Sequence, residues 1–402
     1  MKVIHLATSL TNGAGKAARR INESINLVGI DSTLVSSGRV DGELSEHESR
    51  LKPPTITGLL SKAVTIFQGA IIESETFPMT PISIQNINIQ NMNLFKYDVV
   101  NLHATYNLAS FKSLAYLLEN TKNLVLTLHD ERFYTGGCHN TLGCTQYTKF
   151  CNKCPSATLI GNLFVKKAFE LETKVLQESK KRVSLIAPSQ WIKRQAEASS
   201  KLKNVTIATI PNPIPGSIYT QEEIQKNNSK SGSKVTLGFV AANLDNSFKG
   251  LSILMSALER MPSFERGNYR IFLVGNRPRI EINCPIEVTY MQFIGDSEIA
   301  GVLRAIDLLI VPSLGDNSPS VISEALMCGT KVIGSTRGGI PEMLDFDPSL
   351  IFDVESPQSI LEKIREHSKE YDGTKISIAA HKKYSYHTIG LTYKNYYEGL
   401  IV

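Results

Sequence analysis

Cysteine is scarce in this chain, and long apolar runs are missing. Only 6 of the 402 residues are cysteine, which is too few for the disulfide scaffold of a small secreted protein. No stretch reaches the roughly 18 apolar residues of a membrane-spanning helix. The first residues also lack the apolar core and cleavage site of a signal peptide. We therefore expect a cytoplasmic protein.

Neither sign of charge is in large excess. The 43 Lys and Arg residues against 38 Asp and Glu residues leave a net charge of +5. This balance does not call for nucleic acid as a partner, but it suits anionic small molecules or a membrane face. The 42% hydrophobic and 20% charged residues are typical of globular proteins and exclude disordered, collagenous and coiled-coil classes.

Short apolar runs alternate with helical patterns along the first half of the chain. A glycine turn and a helical pattern follow the first run, which is typical of a strand, a tight turn and a helix. The alternation predicts a parallel sheet covered by helices on both faces. The strand candidates are residues 2–8, 32–36, 97–102, 124–128 and 183–187.

The same alternation restarts after a polar segment, residues 221–233. We predict two tandem doubly wound Rossmann-like α/β domains, residues 1–213 and 214–378, and a final helix in 379–402 that packs back on the first domain. Ligands bind such sheets at the carboxyl ends of the strands, so two facing domains would enclose a cleft. The later strand candidates are residues 235–240, 269–274, 287–293, 308–311 and 331–334.

The most informative segment is residues 311–342. It contains Asp316, seven further residues, Glu324-Ala, a glycine, and then Gly338-Gly339-Ile-Pro-Glu. This order resembles the donor site of group 1 (family 4) retaining glycosyltransferases of GT-B fold, of the kind that builds exopolysaccharides. The resemblance implies that Asp316 contacts hydroxyls of the donor sugar and that the Gly-Gly turn lies close to the nucleotide. Glu324 could accept hydrogen bonds from ribose hydroxyls.

A diphosphate also has candidate partners in this half of the chain. A helix that begins near Ser318 would point backbone N–H groups and its positive dipole end at an anion, with Asn317 and Ser318 at the donor. The segment Lys249-Gly-Leu resembles the diphosphate loop of the family, and its lysine suits a phosphate.

One position of the diphosphate loop departs from the family pattern. The family usually has an arginine about six residues before this lysine, whereas residues 241–243 are Ala-Ala-Asn here. Arg277 or Arg337 would have to supply the missing charge.

A second glycine motif lies at the start of the chain. Gly13-Ala-Gly15-Lys-Ala-Ala fits the dinucleotide fingerprint, so a nicotinamide oxidoreductase is one alternative. The acid that this fingerprint requires after the second strand is absent. In the glycosyltransferase interpretation Gly13 and Gly15 lie under the donor phosphates, and Asn12 helps to shape the acceptor site. A tight turn without a ligand is the other alternative.

Two histidines follow strand candidates of the first domain. His103 and His129 each fall at the carboxyl end of a predicted strand, where ligands bind in this fold class. His129-Asp130 matches the active-site histidine position of the family, and we assign His103 to the acceptor. A histidine that merely completes the core is the alternative for each.

Four cysteines and a histidine crowd into residues 138–154. The thiols are Cys138, Cys144, Cys151 and Cys154. Four soft ligands suit a closed tetrahedral zinc site, although gaps of five and six residues are not a standard finger. A structural zinc ion and inert or redox-active thiols remain as alternatives.

A basic segment could meet a membrane. Residues 163–203 hold ten Lys or Arg and four Asp or Glu, which fits either a solvated helix face or contact with an anionic membrane surface. Residues 59–72 are apolar enough to assist, although burial in the core is the interpretation that we favour for them.

Together these features predict an enzyme that moves a sugar from a UDP- or GDP-sugar to a saccharide or lipid-linked saccharide acceptor in bacterial surface polysaccharide synthesis. The resemblance implies retention of configuration and no catalytic metal. We expect a cytoplasmic enzyme, peripheral at the inner face of the plasma membrane, that binds no nucleic acid. A sugar-nucleotide epimerase of the same fold and a non-catalytic binding or scaffold protein are the alternatives.

Overall fold

The computed structural model describes residues 1–11, 13–38, 44–51, 55–72, 79–82, 89–103, 110–179, 183–218, 234–277, 283–292, 295–369 and 371–401. The chain divides into two compact units. The first combines Met1–Pro213 with Tyr386–Val402, and the second is Ile214–Ser385.

A seven-stranded parallel sheet forms the centre of the first unit, in the order β3-β2-β1-β4-β5-β6-β7. Its inner strands are buried on both faces, which explains why they read as continuous apolar runs. The strands are β1 (Lys2–Ala7), β2 (Asp31–Ser36), β3 (Glu48–Arg50), β4 (Val99–Leu102), β5 (Leu124–Thr127), β6 (Ser184–Ala187) and β7 (Ile207–Thr209).

Helices cover this sheet. Ser110 starts one of them as an N-cap, because its side chain accepts a hydrogen bond from the backbone N–H of Ser113. Thr158 caps another in the same way through Gly161. The helices are α1 (Gly13–Leu27), α2 (Thr55–Ile71), α3 (Phe111–Asn120), α4 (Leu159–Glu178) and α5 (Gln190–Glu197).

The second unit contains a six-stranded parallel sheet in the order β10-β9-β8-β11-β12-β13. Its strands are β8 (Val235–Asn243), β9 (Tyr269–Asn276), β10 (Glu287–Met291), β11 (Leu308–Val311), β12 (Lys331–Ser335) and β13 (Ile351–Phe352). Its helices are α6 (Leu251–Glu259), α7 (Ser263–Arg266), α8 (Asp296–Ala305), α9 (Ser320–Met327), α10 (Ile340–Met343), α11 (Pro357–His367) and α12 (Gly373–Tyr384).

The last helix, α13 (Tyr386–Ile401), packs on α1 of the first unit. Gly390 lies against the backbone of Ser24, where an added Cβ would come within 2.2 Å of the carbonyl oxygen. The amide of Asn101 on β4 donates a hydrogen bond of 2.8 Å to the hydroxyl of Tyr397. Helix α12, which precedes α13, belongs to the second unit, so the return to the first unit begins at Tyr386.

The two doubly wound parallel sheets confirm the fold class that the sequence predicts. Each of the ten predicted strands has a counterpart. The sequence misses β3, β7 and β13, which are only two or three residues long and lie at the edges of the sheets. Such short strands carry too few residues to show a period.

Candidate functional site

Three histidine rings form a hydrogen-bonded row across adjacent strands of the first unit. Nδ1 of His5 lies 2.6 Å from Nε2 of His103, and Nδ1 of His103 lies 2.9 Å from Nε2 of His129. His5 belongs to β1, His103 follows β4 directly, and His129 lies two residues after the end of β5. The carboxyl ends of parallel strands meet at one edge, so the topology itself brings these rings together.

Burial keeps these rings neutral. His5 and His103 are buried, and His129 is partly exposed. Desolvation lowers the pKa of His5 to about 3 and that of His129 to about 4. The pKa of His103 is also well below its usual value, first through burial and then through its two neighbours. Both ring nitrogens of His103 face other histidines, which leaves neither for the acceptor contact that the sequence suggests.

Asp130 is held by the loop that follows it. One carboxylate oxygen accepts a hydrogen bond from the backbone N–H of Arg132 at 3.0 Å, and the other lies 2.7 Å from Nδ1 of His139. Burial alone would raise the pKa of Asp130, but the charge and hydrogen bond of His139, with Arg132, hold it below its usual value. Nε2 of His139 in turn lies 2.7 Å from the hydroxyl of Thr80. Asp130 is therefore an anion fixed in position.

The buried ion pair of Lys201 and Glu172 holds the loop that follows His129. Nζ of Lys201 lies 2.7 Å from the carboxylate of Glu172 and donates to the carbonyl oxygens of Phe133 and Thr135. Arg132 also lies 3.5 Å from Glu172. A buried ammonium group is tolerated only with such a full set of partners. The loop after His129 is therefore tied to the core of its unit.

The four clustered cysteines line one cavity of about 480 Å³. Burial raises the pKa of Cys151 to about 11 and that of Cys138 well above its usual value. Cys138 donates to the carbonyl oxygen of Asn140 at 2.8 Å. Within the described residues, no three His, Cys, Asp or Glu side chains are arranged to hold a metal ion. The thiols thus share a cavity without converging on a tetrahedral zinc site.

In the second unit, the predicted phosphate ligand and the predicted sugar ligand bind each other. Nζ of Lys249 lies 2.9 and 2.8 Å from the two carboxylate oxygens of Asp316. About a third of the lysine side chain and a fifth of the aspartate side chain are exposed. The pair is therefore reachable by a polar ligand.

The Gly-Gly turn closes on the backbone of Asp316. Gly338 has a φ of +67°, and an added Cβ would lie 2.0 Å from the carbonyl oxygen of Asp316. The backbone N–H of Gly339 donates to that same oxygen at 2.8 Å. Leu314 donates its N–H to the carbonyl oxygen of Phe248 at 2.9 Å. These bonds join three segments at the carboxyl end of β11. They are the loop that holds Lys249 (the lysine loop), the loop that holds Asp316 (the acid loop) and the Gly338–Gly339 turn.

Helix α9 starts beside this acid loop, two residues later than the sequence suggests. Pro319 precedes it, and no side chain caps its first turn. Asn317 and Ser318 lie in the loop just before the helix, and Glu324 lies within it; all three are partly buried. The positive end of the helix therefore lies just after Asp316 in the chain, as an anion site requires.

The arginines expected to replace the missing one have other partners. Arg337 forms an ion pair with Glu355. The guanidinium group of Arg277 lies 5.0 Å from the centre of the Tyr290 ring. Lys249 is thus the cation that is placed against the acid loop.

The glycine motif of the first unit starts α1. Gly15 is required there, because an added Cβ would lie 2.0 Å from the carbonyl oxygen of Ser9. Gly13, by contrast, has nothing within 4 Å of such a Cβ. Asn12 lies outside the described residues. Close packing is therefore enough to explain Gly15.

Sequence reasoning missed His5, Lys201 and Glu172. His5 lies in the middle of an apolar strand, where an imidazole needs a polar partner; that position was the available signal. Lys201 and Glu172 lie in a segment whose charges read as a solvated face, and their pairing across 29 residues left no local pattern.

Comparisons with known proteins agree with this architecture. Sucrose-phosphate synthase from Thermosynechococcus elongatus matches with a TM-score of 0.64 and 15% identity, over 100% of this chain and 99% of that one. HepE from Anabaena, solved with UDP-glucose, has a TM-score of 0.63 and 15% identity, over 99% and 100% of the two chains. WaaG, a glycosyltransferase of lipopolysaccharide biosynthesis, has 0.60 and 14%, over 98% and 95%.

No curated protein matches the chain by sequence. Residues 234–370, which include Lys249, Asp316, Glu324 and the Gly-Gly turn, match the family model described as glycosyl transferases group 1. The chain therefore has the two-domain Rossmann-like GT-B fold, and its second unit carries the segment that matches the group 1 glycosyl transferases.

Proposed function

We propose that this protein is a retaining glycosyltransferase that moves a sugar from a nucleotide sugar to a saccharide or lipid-linked saccharide acceptor in surface polysaccharide synthesis. The observation that carries the proposal is the cluster of Lys249, Asp316 and the Gly338–Gly339 turn at the carboxyl end of β11. It lies within the segment that matches the family model.

The donor we propose is a UDP- or GDP-sugar. HepE was solved with UDP-glucose. Another structure of similar fold, described as trehalose-6-phosphate from E. coli, was solved with bound UDP-2-fluoro glucose. In our proposal Lys249 binds the diphosphate, Asp316 and Glu324 bind hydroxyls, and the start of α9 faces the anion.

The reaction needs charge stabilisation more than covalent chemistry. As the bond between the sugar and the diphosphate breaks, negative charge grows on the leaving oxygen, and Lys249 with the first turn of α9 can stabilise it. That oxygen can take the proton of the acceptor hydroxyl, which then attacks from the same face of the sugar and retains its configuration. His129 would hold a hydroxyl of the transferred sugar. These residues require no catalytic metal in the proposal.

A screen of donor hydrolysis across UDP- and GDP-sugars tests this function. The wild-type protein should release nucleoside diphosphate from at least one of them. Glu324→Ala should abolish this turnover and leave the circular dichroism spectrum unchanged. Glu362→Ala, an exposed glutamate of α11 that bonds to Gln358, serves as the control. Undiminished turnover by Glu324→Ala would refute the assignment.

Two results would favour the alternatives. Conversion of the donor to an epimer without any acceptor would indicate a sugar-nucleotide epimerase. Calorimetry that detects no binding of uridine or guanosine diphosphate would indicate a non-catalytic protein.

A lipid-linked acceptor would require the enzyme to work at a membrane surface. No helix in the described part of the chain is long and apolar enough to span a bilayer. However, α2 and the start of α4 expose large apolar side chains, and their ends are joined by a hydrogen bond from Thr158 to Ile71. The exposed residues are Leu59, Leu60, Ile66, Phe67, Leu159, Ile160 and Leu163.

Charge favours an anionic surface for this apolar patch. Lys62, Lys153, Lys166 and Lys167 are exposed on or beside the same two helices. Leu159 is 91% exposed, which is costly in water but favourable in the headgroup region of a bilayer. We therefore propose that the first unit lies on the inner face of the plasma membrane through this patch.

A further inference from the structure

The row of His5, His103 and His129 joins two buried rings to the partly exposed ring of His129. The register of the sheet pairs Leu6 with Leu102, so His103 aligns with Ala7 and projects on the same face as His5. The nitrogen distances of 2.6 and 2.9 Å leave no room for a water molecule between the rings.

The tautomers of the three rings depend on one another. A neutral imidazole has one N–H donor and one bare nitrogen that accepts. His103 is hydrogen-bonded through both of its nitrogens, so it must accept from one neighbour and donate to the other. Only two arrangements are therefore possible for neutral rings: every bond points from His5 toward His129, or every bond points from His129 toward His5.

The far end of the row decides between these arrangements. Nε2 of His5 is buried and has no hydrogen-bond partner among the described residues. If the bonds pointed toward His5, this nitrogen would carry a buried N–H with nothing to accept it. Buried N–H groups without an acceptor are rarer in proteins than unpaired buried acceptors. If the bonds point toward His129, the nitrogen is a bare acceptor instead.

We propose that His5 and His103 are positioning residues that hold His129 as the Nδ1–H tautomer, so that this ring presents a hydrogen-bond donor to an oxygen atom of the substrate. The inference rests on the proposed function for the identity of that oxygen, which belongs to a sugar hydroxyl or a phosphate. Reversal of the row would need a proton at Nε2 of His5, where no described group can supply one. The row therefore fixes a tautomer and carries no proton onward.

Ring nitrogen chemical shifts test this directly on the full-length protein. With ¹⁵N-labelled histidine, long-range ¹H–¹⁵N spectra distinguish a protonated ring nitrogen from a bare one. All three rings should show protonated Nδ1 and bare Nε2, although free histidine in water prefers the opposite form. A protonated Nε2 on His129, or averaged shifts that report both tautomers, would overturn the proposal.

Two substitutions at His5 separate a donor from mere packing. His5→Leu removes the donor and should leave His129 as a mixture of tautomers. His5→Asn keeps an amide N–H at the Nδ1 position and should restore the wild-type spectrum of His129. His47→Leu, at an exposed position, is the control. If His5→Leu folds and His129 keeps a single Nδ1–H form, the role assigned to His5 is wrong.

Kinetics then connect the tautomer to turnover. His5→Leu should lower kcat about tenfold, the effect of one weakened hydrogen bond to the substrate, and His5→Asn should recover most of it. The Kd of the nucleoside diphosphate should not change, because Lys249 is in the other unit. If no turnover is found with any donor, the proposed function fails, while the spectra still decide the tautomer. If kcat of His5→Leu equals that of the wild type, the positioning role is overturned.

Discussion

Lys249 and Asp316 form a two-pronged ion pair, with Nζ of the lysine 2.9 and 2.8 Å from the two carboxylate oxygens. Both residues are predicted to bind the donor, the lysine through phosphate and the aspartate through the sugar. In the structure they bind each other, so a diphosphate that binds Lys249 would compete with the carboxylate for the ammonium group. In our proposal the ion pair opens when the donor binds.

Substitutions of Lys249 and Asp316 should distinguish binding of the diphosphate from use of the sugar. Lys249→Met should weaken binding of both UDP and UDP-glucose by tenfold or more, since it removes a charge-assisted hydrogen bond. Asp316→Asn frees the lysine, so it should bind UDP at least as tightly as the wild type and yet lose most turnover of the nucleotide sugar. Calorimetry and donor hydrolysis measure these effects. Weaker UDP binding by Asp316→Asn would contradict the competition.

The buried histidines make stability depend on pH. In the unfolded chain they take up protons near pH 6.5, whereas the native pKa is about 4 for His129 and about 3 for His5. The unfolded state thus binds more protons, and the free energy of unfolding falls as the pH drops from about 6.5 to about 4. Each proton contributes roughly 1.4 kcal/mol per pH unit.

Glu131 opposes this trend. Burial raises its pKa to about 7, so the native state binds a proton between about pH 4.5 and 7 that the unfolded chain does not. Three histidines against one glutamate leave about two protons taken up on unfolding near pH 5. Urea unfolding from pH 7.5 to 5 measures the slope, and His5→Leu should reduce it by about one proton. A flat profile would mean that the histidines are not buried and neutral.

The cysteine cavity leads to a prediction about zinc. The sequence leaves two alternatives for Cys138, Cys144, Cys151 and Cys154, a structural zinc ion or inert or redox-active thiols, and the structure places these side chains around one cavity without converging. Zinc must displace thiol protons that burial holds tightly, and it would draw the side chains together. We propose that the four thiols, which already line one cavity, can close around zinc as a tetrahedral site. Elemental analysis of protein purified from zinc-containing medium should then give at least about half an equivalent of metal.

A paired control makes this measurement specific. Cys151→Ser with Cys154→Ser should lose the metal, whereas Cys284→Ser, in the second unit, should retain it. Well-folded wild-type protein with less metal than that would show that the thiols serve only to line the cavity.

The apolar patch on α2 and α4 predicts binding to anionic lipid. Vesicles of phosphatidylglycerol and phosphatidylcholine should sediment with the wild-type protein, more weakly in high salt. Leu159→Ser with Leu163→Ser should weaken this binding about tenfold or more, since each leucine loses apolar contact with the bilayer. Leu391→Ser, on α13, is the control. Equal sedimentation of both variants would exclude the patch.

The sequence was most informative where a pattern is local. Apolar period and glycine spacing located the inner strands and the segment from Asp316 to Gly339, because neighbours in the chain form these features. Contacts over long sequence separations left no such signal. The partners of His103 lie 98 residues before it, on β1, and 26 residues after it, just beyond β5. A histidine expected to face a ligand is therefore hydrogen-bonded to two other histidines.

The docking of α13 on α1 joins the two ends of the chain in one unit. The amide N–H of Asn101, which is fully buried on β4, obtains its acceptor from the hydroxyl of Tyr397. The two residues are 296 positions apart. A ribosome therefore makes the whole second unit before it makes Tyr397, and the first unit cannot complete its core until then. It must stay partly open until α13 has left the exit tunnel.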